Sequence, residues 1–259
     1  MTVKTKSNKN YGTKTNTIVN PFDKLNGKVT LLIALLAATL PIIIQMIASV
    51  CIYKFVPTSG LSNAVELLTQ PSNPLFIITF LGSQCIVALP ILFVFRKHLK
   101  EVFASLKSVK NVLVITGITF GAMLLGQVWD IFVYNVLDVS VNSNQSTVLS
   151  FFDSLPILGL LSVGFLAPFL EEVTYRIGVF GVVKRFNKPL AYVLSAVLFA
   201  FAHFTYSGNL GAELLSLPTY IIIGLSLSYI YDKYGFAGSF LSHCLNNVIA
   251  VAPLFFVFN

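Results

Sequence analysis

Charged residues are scarce in this sequence. Asp, Glu, Lys and Arg make up 10% of its 259 residues, hydrophobic residues make up 56%, and the mean hydropathy is +0.82. A soluble globular domain carries about 25% charged residues. The shortage of charge excludes a soluble domain and predicts a protein that crosses a lipid bilayer several times.

Cysteine is also scarce. Cys51, Cys85 and Cys244 each stand alone in an apolar stretch, with no CxxC spacing. This excludes a disulfide framework and a zinc finger, and it indicates simple packing residues. The HExxH zinc signature is absent, as is the internal repeat of matched broken helices that is typical of many secondary transporters.

Long apolar runs dominate the rest of the chain. Each is close to the ~20 residues that cross ~30 Å of hydrocarbon as a helix. They predict an all-α, polytopic transmembrane helical bundle of about seven spans (seven or eight), with a disordered cytosolic tail at residues 1–28. The seven runs are about 29–53, 75–95, 111–136, 155–176 or beyond, 189–206, 212–231 and 237–258.

Basic residues are distributed unequally between the loops. Of the 17 Lys and Arg residues, 16 lie in the tail and in alternate loops, and Lys54 is the exception. The positive-inside rule then predicts a multi-pass protein of the cell membrane with its N-terminus in the cytosol and its C-terminus outside. The same rule accounts for the net charge of +7, so no nucleic-acid partner is predicted.

A few ionisable and polar residues interrupt the last apolar runs. An ionisable group in hydrocarbon costs several kcal/mol unless it is paired or faces a polar cavity, so it indicates a functional site. Glu172 and Arg176 are four residues apart, which predicts a structural ion pair and leaves Glu171 free to act as a general base in a watery cavity. For Glu171 to lie as deep as His203, the fourth helix must continue to Lys184 or Arg185.

The remaining groups follow helical spacing. His243 and Asn247 are four residues apart and share a face, and Phe199 precedes His203 by one turn. The longer fourth helix is also expected to be tilted, or bent near Gly178 and Gly181. Other buried polar residues are interpreted as contacts between helices, namely Gln45, Gln84, Gln127 and Asp130.

Three motifs occur in order within residues 150–250. They are EExxxR at Glu171, Glu172 and Arg176, FxxxH at Phe199 and His203, and HxxxN at His243 and Asn247. In this order and this apolar context they resemble the CPBP family, which groups the type II CaaX prenyl endopeptidases with the bacterial Abi proteins. The resemblance implies membrane-embedded helical proteases, with residues 29–150 as N-terminal transmembrane helices and residues 151–259 as the catalytic core.

The resemblance also implies roles for particular residues. Glu171 and His203 would activate a water, and His243 and Asn247 would stabilise the oxyanion, with Glu172, Arg176 and Phe199 in support. Members of the family are commonly labelled metalloproteases. A divalent metal such as zinc is therefore an open alternative, with Glu171, His203 and His243 as its ligands and one position left for water.

The leading hypothesis is an intramembrane endopeptidase that hydrolyses a hydrophobic or lipid-anchored peptide or protein in the bilayer, in bacteriocin self-immunity or peptide maturation. The alternative is a non-catalytic membrane immunity or scaffold protein on the same fold. A proton-coupled transporter is the third hypothesis, because buried carboxylates and histidines also serve proton relays.

Overall fold

The computed structural model describes residues 21–55, 70, 72–137, 148–152, 155–204 and 209–257. All regular elements within these ranges are helical, which confirms the all-α prediction. Most of the predicted cytosolic tail, residues 1–20, lies outside the described residues. Its last part forms a short 3-10 helix, Pro21–Lys24, that leads into the first long helix.

The first three long helices are α1 (Gly27–Phe55), α2 (Pro74–Phe95) and α3 (Val109–Leu137). The start of α2 is encoded locally: the Asn73 side chain accepts a hydrogen bond from the Leu75 N–H, and Pro74 takes the first helical position, where no N–H is needed. Short helical turns connect α2 to α3, at Arg96–His98, Leu99–Val102 and Phe103–Lys107.

The fourth helix, α4 (Pro156–Val183), has two π-helical stretches, Ser162–Leu166 and Glu172–Phe180. It runs to within one residue of Lys184, so the longer helix expected from the depth of Glu171 is confirmed. Gly178 lies in the second π-helical stretch, and Gly181 begins the α-helical turn that follows it; the expected bend itself stays a prediction. Helix α5 (Lys188–Ala202) follows, capped by the Asn187 side chain.

The last helical run, Leu210–Val257, is broken at Gly235. The φ of 75° and ψ of −173° at this residue lie in a region that only glycine adopts readily. The run therefore consists of two helices, α6 (210–234) and α7 (236–257).

Among the residues that the structure describes, five helical runs are long and apolar enough to cross a membrane, and the break at Gly235 divides the last of them. With the shorter α5, the described residues form seven helical segments at the seven predicted positions. Apolar side chains such as Met46, Leu89 and Leu124 are exposed along the outside of the bundle. A protein with this surface needs a lipid environment, so the chain is a multi-pass membrane protein.

Hydrogen bonds between helices mostly follow the prediction. Gln45 donates to Thr79 at 2.9 Å, Ser162 donates to Gln84 at 2.7 Å, and Thr219 donates to Asp130 at 2.7 Å. Gln127 is exposed, so its predicted helix contact is wrong. All three cysteines are free thiols, and only Cys244 is buried.

An aromatic cluster fills the end of the bundle where α1 begins. Phe22 lies 4.3 Å from Phe95 and 5.8 Å from Phe236 between ring centroids, and Phe169 packs on Phe236 from α4. Arg185 Nη2 donates to the Leu25 carbonyl at 2.8 Å at the same end. The start of α1, the end of α2 and the connections α4–α5 and α6–α7 therefore lie together.

Candidate active site

The two glutamates of EExxxR lie where α4 changes from α-helical to π-helical. Glu171 ends the turn Ala167–Glu171, and Glu172 begins the stretch Glu172–Phe180. Isolated π-helical turns occur often at functional sites. Each contains one residue more than an α-helical turn, which changes the directions in which the neighbouring side chains point. Here, Glu172 is fully buried and Glu171 retains 28% side-chain exposure.

The predicted ion pair between Glu172 and Arg176 is present. Arg176 Nε lies 3.4 Å from Glu172 Oε2, and both side chains are 0% exposed. The guanidinium is also held from α5, where Ser195 Oγ accepts a hydrogen bond from Nη1 at 3.3 Å, and its carbon lies 4.9 Å from the Phe199 ring centroid. A fully buried charge needs such partners on several sides.

His243 on α7 lies between the two glutamates. Its Nδ1 is 3.0 Å from Glu172 Oε1, and its Nε2 is 3.6 Å from Glu171 Oε2. Sequence reasoning assigned Glu172 only to Arg176 and missed this second partner. The contact joins residues that are 71 positions apart, and no local spacing signals it.

His203 approaches Glu171 from the other side. Its Nδ1 is 2.8 Å from the Phe199 carbonyl, and its Nε2 is 3.8 Å from Glu171 Oε2. A carbonyl only accepts, so Nδ1 carries a hydrogen, and in that tautomer of the neutral ring the Nε2 lone pair would face Glu171. The sequence placed His203 inside a helix, but it caps the C-terminus of α5, and its ring stacks on Tyr220 of α6.

Phe199 occupies the space between these groups. It is 1% exposed, and its ring centroid lies 4.5 Å from that of His203 and 5.5 Å from that of His243. Phe199 therefore packs against both imidazole rings. With Arg176 on its ring as well, Phe199 fixes the lateral positions of both imidazoles.

Asn247 is held by a carbonyl that a proline leaves free. In the π-helical turn Ser162–Leu166, the Val163 carbonyl would normally accept a hydrogen bond from the backbone N–H five residues later. That residue is Pro168, which has no N–H. The Val163 carbonyl instead accepts a hydrogen bond from Asn247 Nδ2 at 2.9 Å. This fixes the orientation of the amide, and Asn247 Nδ2 keeps a second N–H for another acceptor.

All four predicted catalytic residues line one cavity of about 640 Å³. Helices α1, α2, α4, α5, α6 and α7 contribute to its wall, so it lies inside the membrane bundle. In the cavity wall, Glu171 lies within 4 Å of both His203 and His243, and the residues that α1 and α2 contribute are apolar except Gln84. Sequence reasoning missed four polar members of the wall, because hydroxyl and amide side chains are common helix contacts; they are Thr174, Tyr175, Tyr220 and Asn246.

A metal ion would require three of these side chains around one point. The donor set of one carboxylate and two imidazoles suits zinc. Within the described residues, however, no group of three or more His, Cys, Asp or Glu side chains is arranged to hold a metal ion. The metal alternative therefore stays a prediction from the resemblance.

The part of the chain that carries the three motifs is similar to a known protein family. Residues 153–249 match the family model described as type II CAAX prenyl endopeptidase Rce1-like. No solved structure matches the chain significantly.

Two relatives come from Lactococcus lactis subsp. lactis (strain IL1403). The UPF0177 protein YvdC is 33% identical over 92 residues, which cover 36% of this chain and 33% of YvdC. The UPF0177 protein YxdF is 27% identical over 125 residues, which cover 48% of this chain and 66% of YxdF. The matched part thus spans less than two thirds of either relative. Residues 153–249, which match the type II CAAX prenyl endopeptidase Rce1-like family model, carry EExxxR, FxxxH and HxxxN.

Proposed function

We propose that this protein is an intramembrane endopeptidase in which Glu171 and His203 activate a water and His243 and Asn247 stabilise the oxyanion. The observation that carries the proposal is the convergence of these four side chains, from α4, α5 and α7, on one cavity. The match of residues 153–249 to the type II CAAX prenyl endopeptidase Rce1-like family model supports a protease of this type.

The spacing of Glu171 and His203 suits a nucleophilic water. The two acceptors, Oε2 and the Nε2 lone pair, are 3.8 Å apart, so a water ~2.8 Å from each can donate one hydrogen to each. Loss of a proton to this pair makes the water oxygen a hydroxide-like nucleophile. It forms a bond to the carbonyl carbon of the substrate, and the carbonyl oxygen becomes the oxyanion.

His243 and Asn247 are the donors for that oxyanion. Glu172 accepts from His243 Nδ1, and the proposal assigns a second hydrogen to His243 Nε2. This N–H and the second N–H of Asn247 would then donate to the oxyanion. When the tetrahedral intermediate collapses, the C–N bond breaks and the leaving nitrogen takes the proton from the Glu171–His203 pair.

The composition of the cavity wall favours a hydrophobic substrate. Apolar side chains of α1 and α2 face the polar groups, and the bundle itself lies in the bilayer. We therefore propose a hydrophobic or lipid-anchored peptide or protein as the substrate. Maturation of a membrane-associated peptide, or self-immunity to a bacteriocin, is the proposed cellular role.

The test is cleavage of two reporter peptides of the same sequence, with and without a farnesylated cysteine, by protein purified in detergent. Glu171→Gln and His203→Ala should lower kcat at least ~100-fold, and Asn247→Leu should lower it ~100- to 1000-fold with a smaller change in KM. Gln127→Leu is the matched control, because Gln127 is exposed and does not line the cavity.

Full cleavage by Glu171→Gln, with a normal thermal unfolding midpoint, would refute the assigned chemistry. Absence of cleavage by every form, while the cellular phenotype persists in Glu171→Gln, would favour the non-catalytic immunity protein.

A chelator addresses the metal alternative separately. If the Glu–His mechanism without metal operates, cleavage should be unchanged after dialysis against 1,10-phenanthroline and should not increase on adding zinc. Loss of activity with chelator and its recovery with stoichiometric zinc would instead favour Glu171, His203 and His243 as metal ligands.

A further inference from the structure

The wall of the cavity that α1 and α2 form contains one strongly polar side chain. Gln84 on α2 is 3% exposed as a residue, and it lines the cavity. The other residues that these two helices contribute are all apolar, namely Ala37, Ala38, Pro41, Ile42, Phe76 and Phe80. An amide placed among such side chains is costly unless its hydrogen bonds are satisfied.

Half of the Gln84 amide is satisfied by the protein. The Ser162 hydroxyl donates to Gln84 Oε1 at 2.7 Å, and Ser162 is fully buried. This bond fixes which end of the amide faces α4. The Nε2 group, with two N–H donors, has no hydrogen-bond acceptor among the residues that the structure describes.

A peptide that enters this cavity would supply the acceptor that Gln84 lacks. The cleaved stretch of a substrate must be extended, so its backbone carbonyls lose their helical partners, and no bulk water is present at membrane depth to replace them. We propose that Gln84 is a positioning residue that donates a hydrogen bond from Nε2 to a backbone carbonyl of the substrate. This inference rests on the proposed function, because it assigns part of the substrate site.

The inference is supported by how Gln84 is connected to the oxyanion site. Ser162, which holds Gln84, is adjacent in sequence to Val163, whose carbonyl holds Asn247. One π-helical turn therefore fixes both amides. A substrate carbonyl bound by Gln84 would lie at a set distance from the carbonyl that Asn247 polarises, which selects the peptide bond to be cut.

The experiment compares Gln84→Met with Ser162→Ala. Gln84→Met keeps the length of the side chain and removes the donor, whereas Ser162→Ala removes the bond within the protein and leaves the donor. Because a neutral hydrogen bond contributes ~0.5–1.5 kcal/mol, Gln84→Met should raise KM about 3- to 10-fold with kcat within about twofold. Ser162→Ala should raise KM less than Gln84→Met does, because the donor remains although the bond that orients it is lost.

A set of reporters, each with one backbone amide replaced by an ester, identifies the bound carbonyl. At one position the ester should weaken binding to the parent but not to Gln84→Met, because the partner is already lost. Binding is measured as Kd by fluorescence anisotropy in the Glu171→Gln background, so the result does not depend on cleavage.

A purely structural Gln84 would give a different pattern. Gln84→Met and Ser162→Ala would then lower the unfolding midpoint alike, and every ester would have the same effect in both backgrounds. Either that result or failure of all reporters to bind overturns the inference. Normal coupling between Gln84 and one ester, without cleavage by the parent, would overturn the proposed function and leave the positioning role intact.

Discussion

Glu172 connects two roles at the scale of single residues. It neutralises Arg176, and it accepts from His243 Nδ1, so the same carboxylate stabilises the bundle and orients an imidazole. Removing one member of a buried ion pair leaves an uncompensated charge, at a cost of ~3–5 kcal/mol. Removing both members avoids that cost but still leaves His243 without its acceptor.

We therefore expect Glu172→Leu and Arg176→Met to lower the free energy of unfolding strongly as single variants, and the double variant to recover much of the loss. Cleavage should remain low in the double variant, because His243 has lost its orientation. Thermal unfolding in detergent and kcat for the reporter peptide measure the two effects. Recovery of both stability and cleavage would show that Glu172 serves only the ion pair.

Contacts within one helix could be predicted from the sequence, whereas the partners in contacts between helices could not. The four-residue spacing of Glu172 and Arg176 was sufficient to predict their pair, because both lie on one helix. The contact of His243 with Glu172 depends on α7 packing beside α4, which local spacing does not encode. The position of His203 at the end of α5, beside Tyr220 of α6, depends in the same way on where the chain turns.

At the scale of elements, close packing of α1 against α4 positions the glutamates. Gly178 lies in the π-helical stretch that begins at Glu172, and a methyl group at this position would overlap Ala34 Cβ on α1. Thr174 also faces α1, since its hydroxyl donates to the Leu170 carbonyl at 2.8 Å and lies 3.4 Å from the Ala34 carbonyl. Small residues allow such close approach of helices in membranes.

Gly178→Ala should therefore push α1 away from α4, lower the unfolding midpoint and reduce cleavage. Ala34→Gly in the same chain removes the overlapping methyl group and should restore both properties, so the pair of substitutions should be strongly non-additive. Gly117→Ala is the matched control, because no atom lies within 4 Å of an added Cβ there, and we expect no loss of stability. Additive effects of the two substitutions would contradict this contact.

The positions of the helices could be predicted well where the length of an apolar run determines where a helix begins and ends. The seven segments were recovered because each span must cover the hydrocarbon thickness, and the length of α4 followed from the required depth of Glu171. The π-helical stretches could not be predicted beyond a bend, since Pro168 removes one N–H without specifying which carbonyl is left free. Only the packed structure pairs the Val163 carbonyl with Asn247.

At the scale of the whole molecule, positive charge collects at one end of the bundle. Arg185 donates to the Leu25 carbonyl, and Lys188 lies 2.8 Å from Asp232 near the end of α6. The loops that carry the basic residues are therefore close together in space, although they alternate with other loops along the sequence. Among the Lys and Arg residues that the structure describes, Lys54 is at the opposite end, where α1 finishes, and Arg176 is buried within the bundle.

This asymmetry predicts the orientation of the protein in the cell, with the basic end in the cytosol. In a chain with Cys51, Cys85 and Cys244 replaced by alanine, a membrane-impermeant maleimide should label Lys54→Cys in intact cells. It should label Lys97→Cys, beyond the end of α2, only after permeabilisation. Each position is the control for the other. The reverse labelling pattern would place the basic end outside the cell and contradict the predicted orientation. Labelling of both positions in intact cells would indicate leaky membranes, which an unlabelled cytosolic marker protein must exclude before the orientation is assigned.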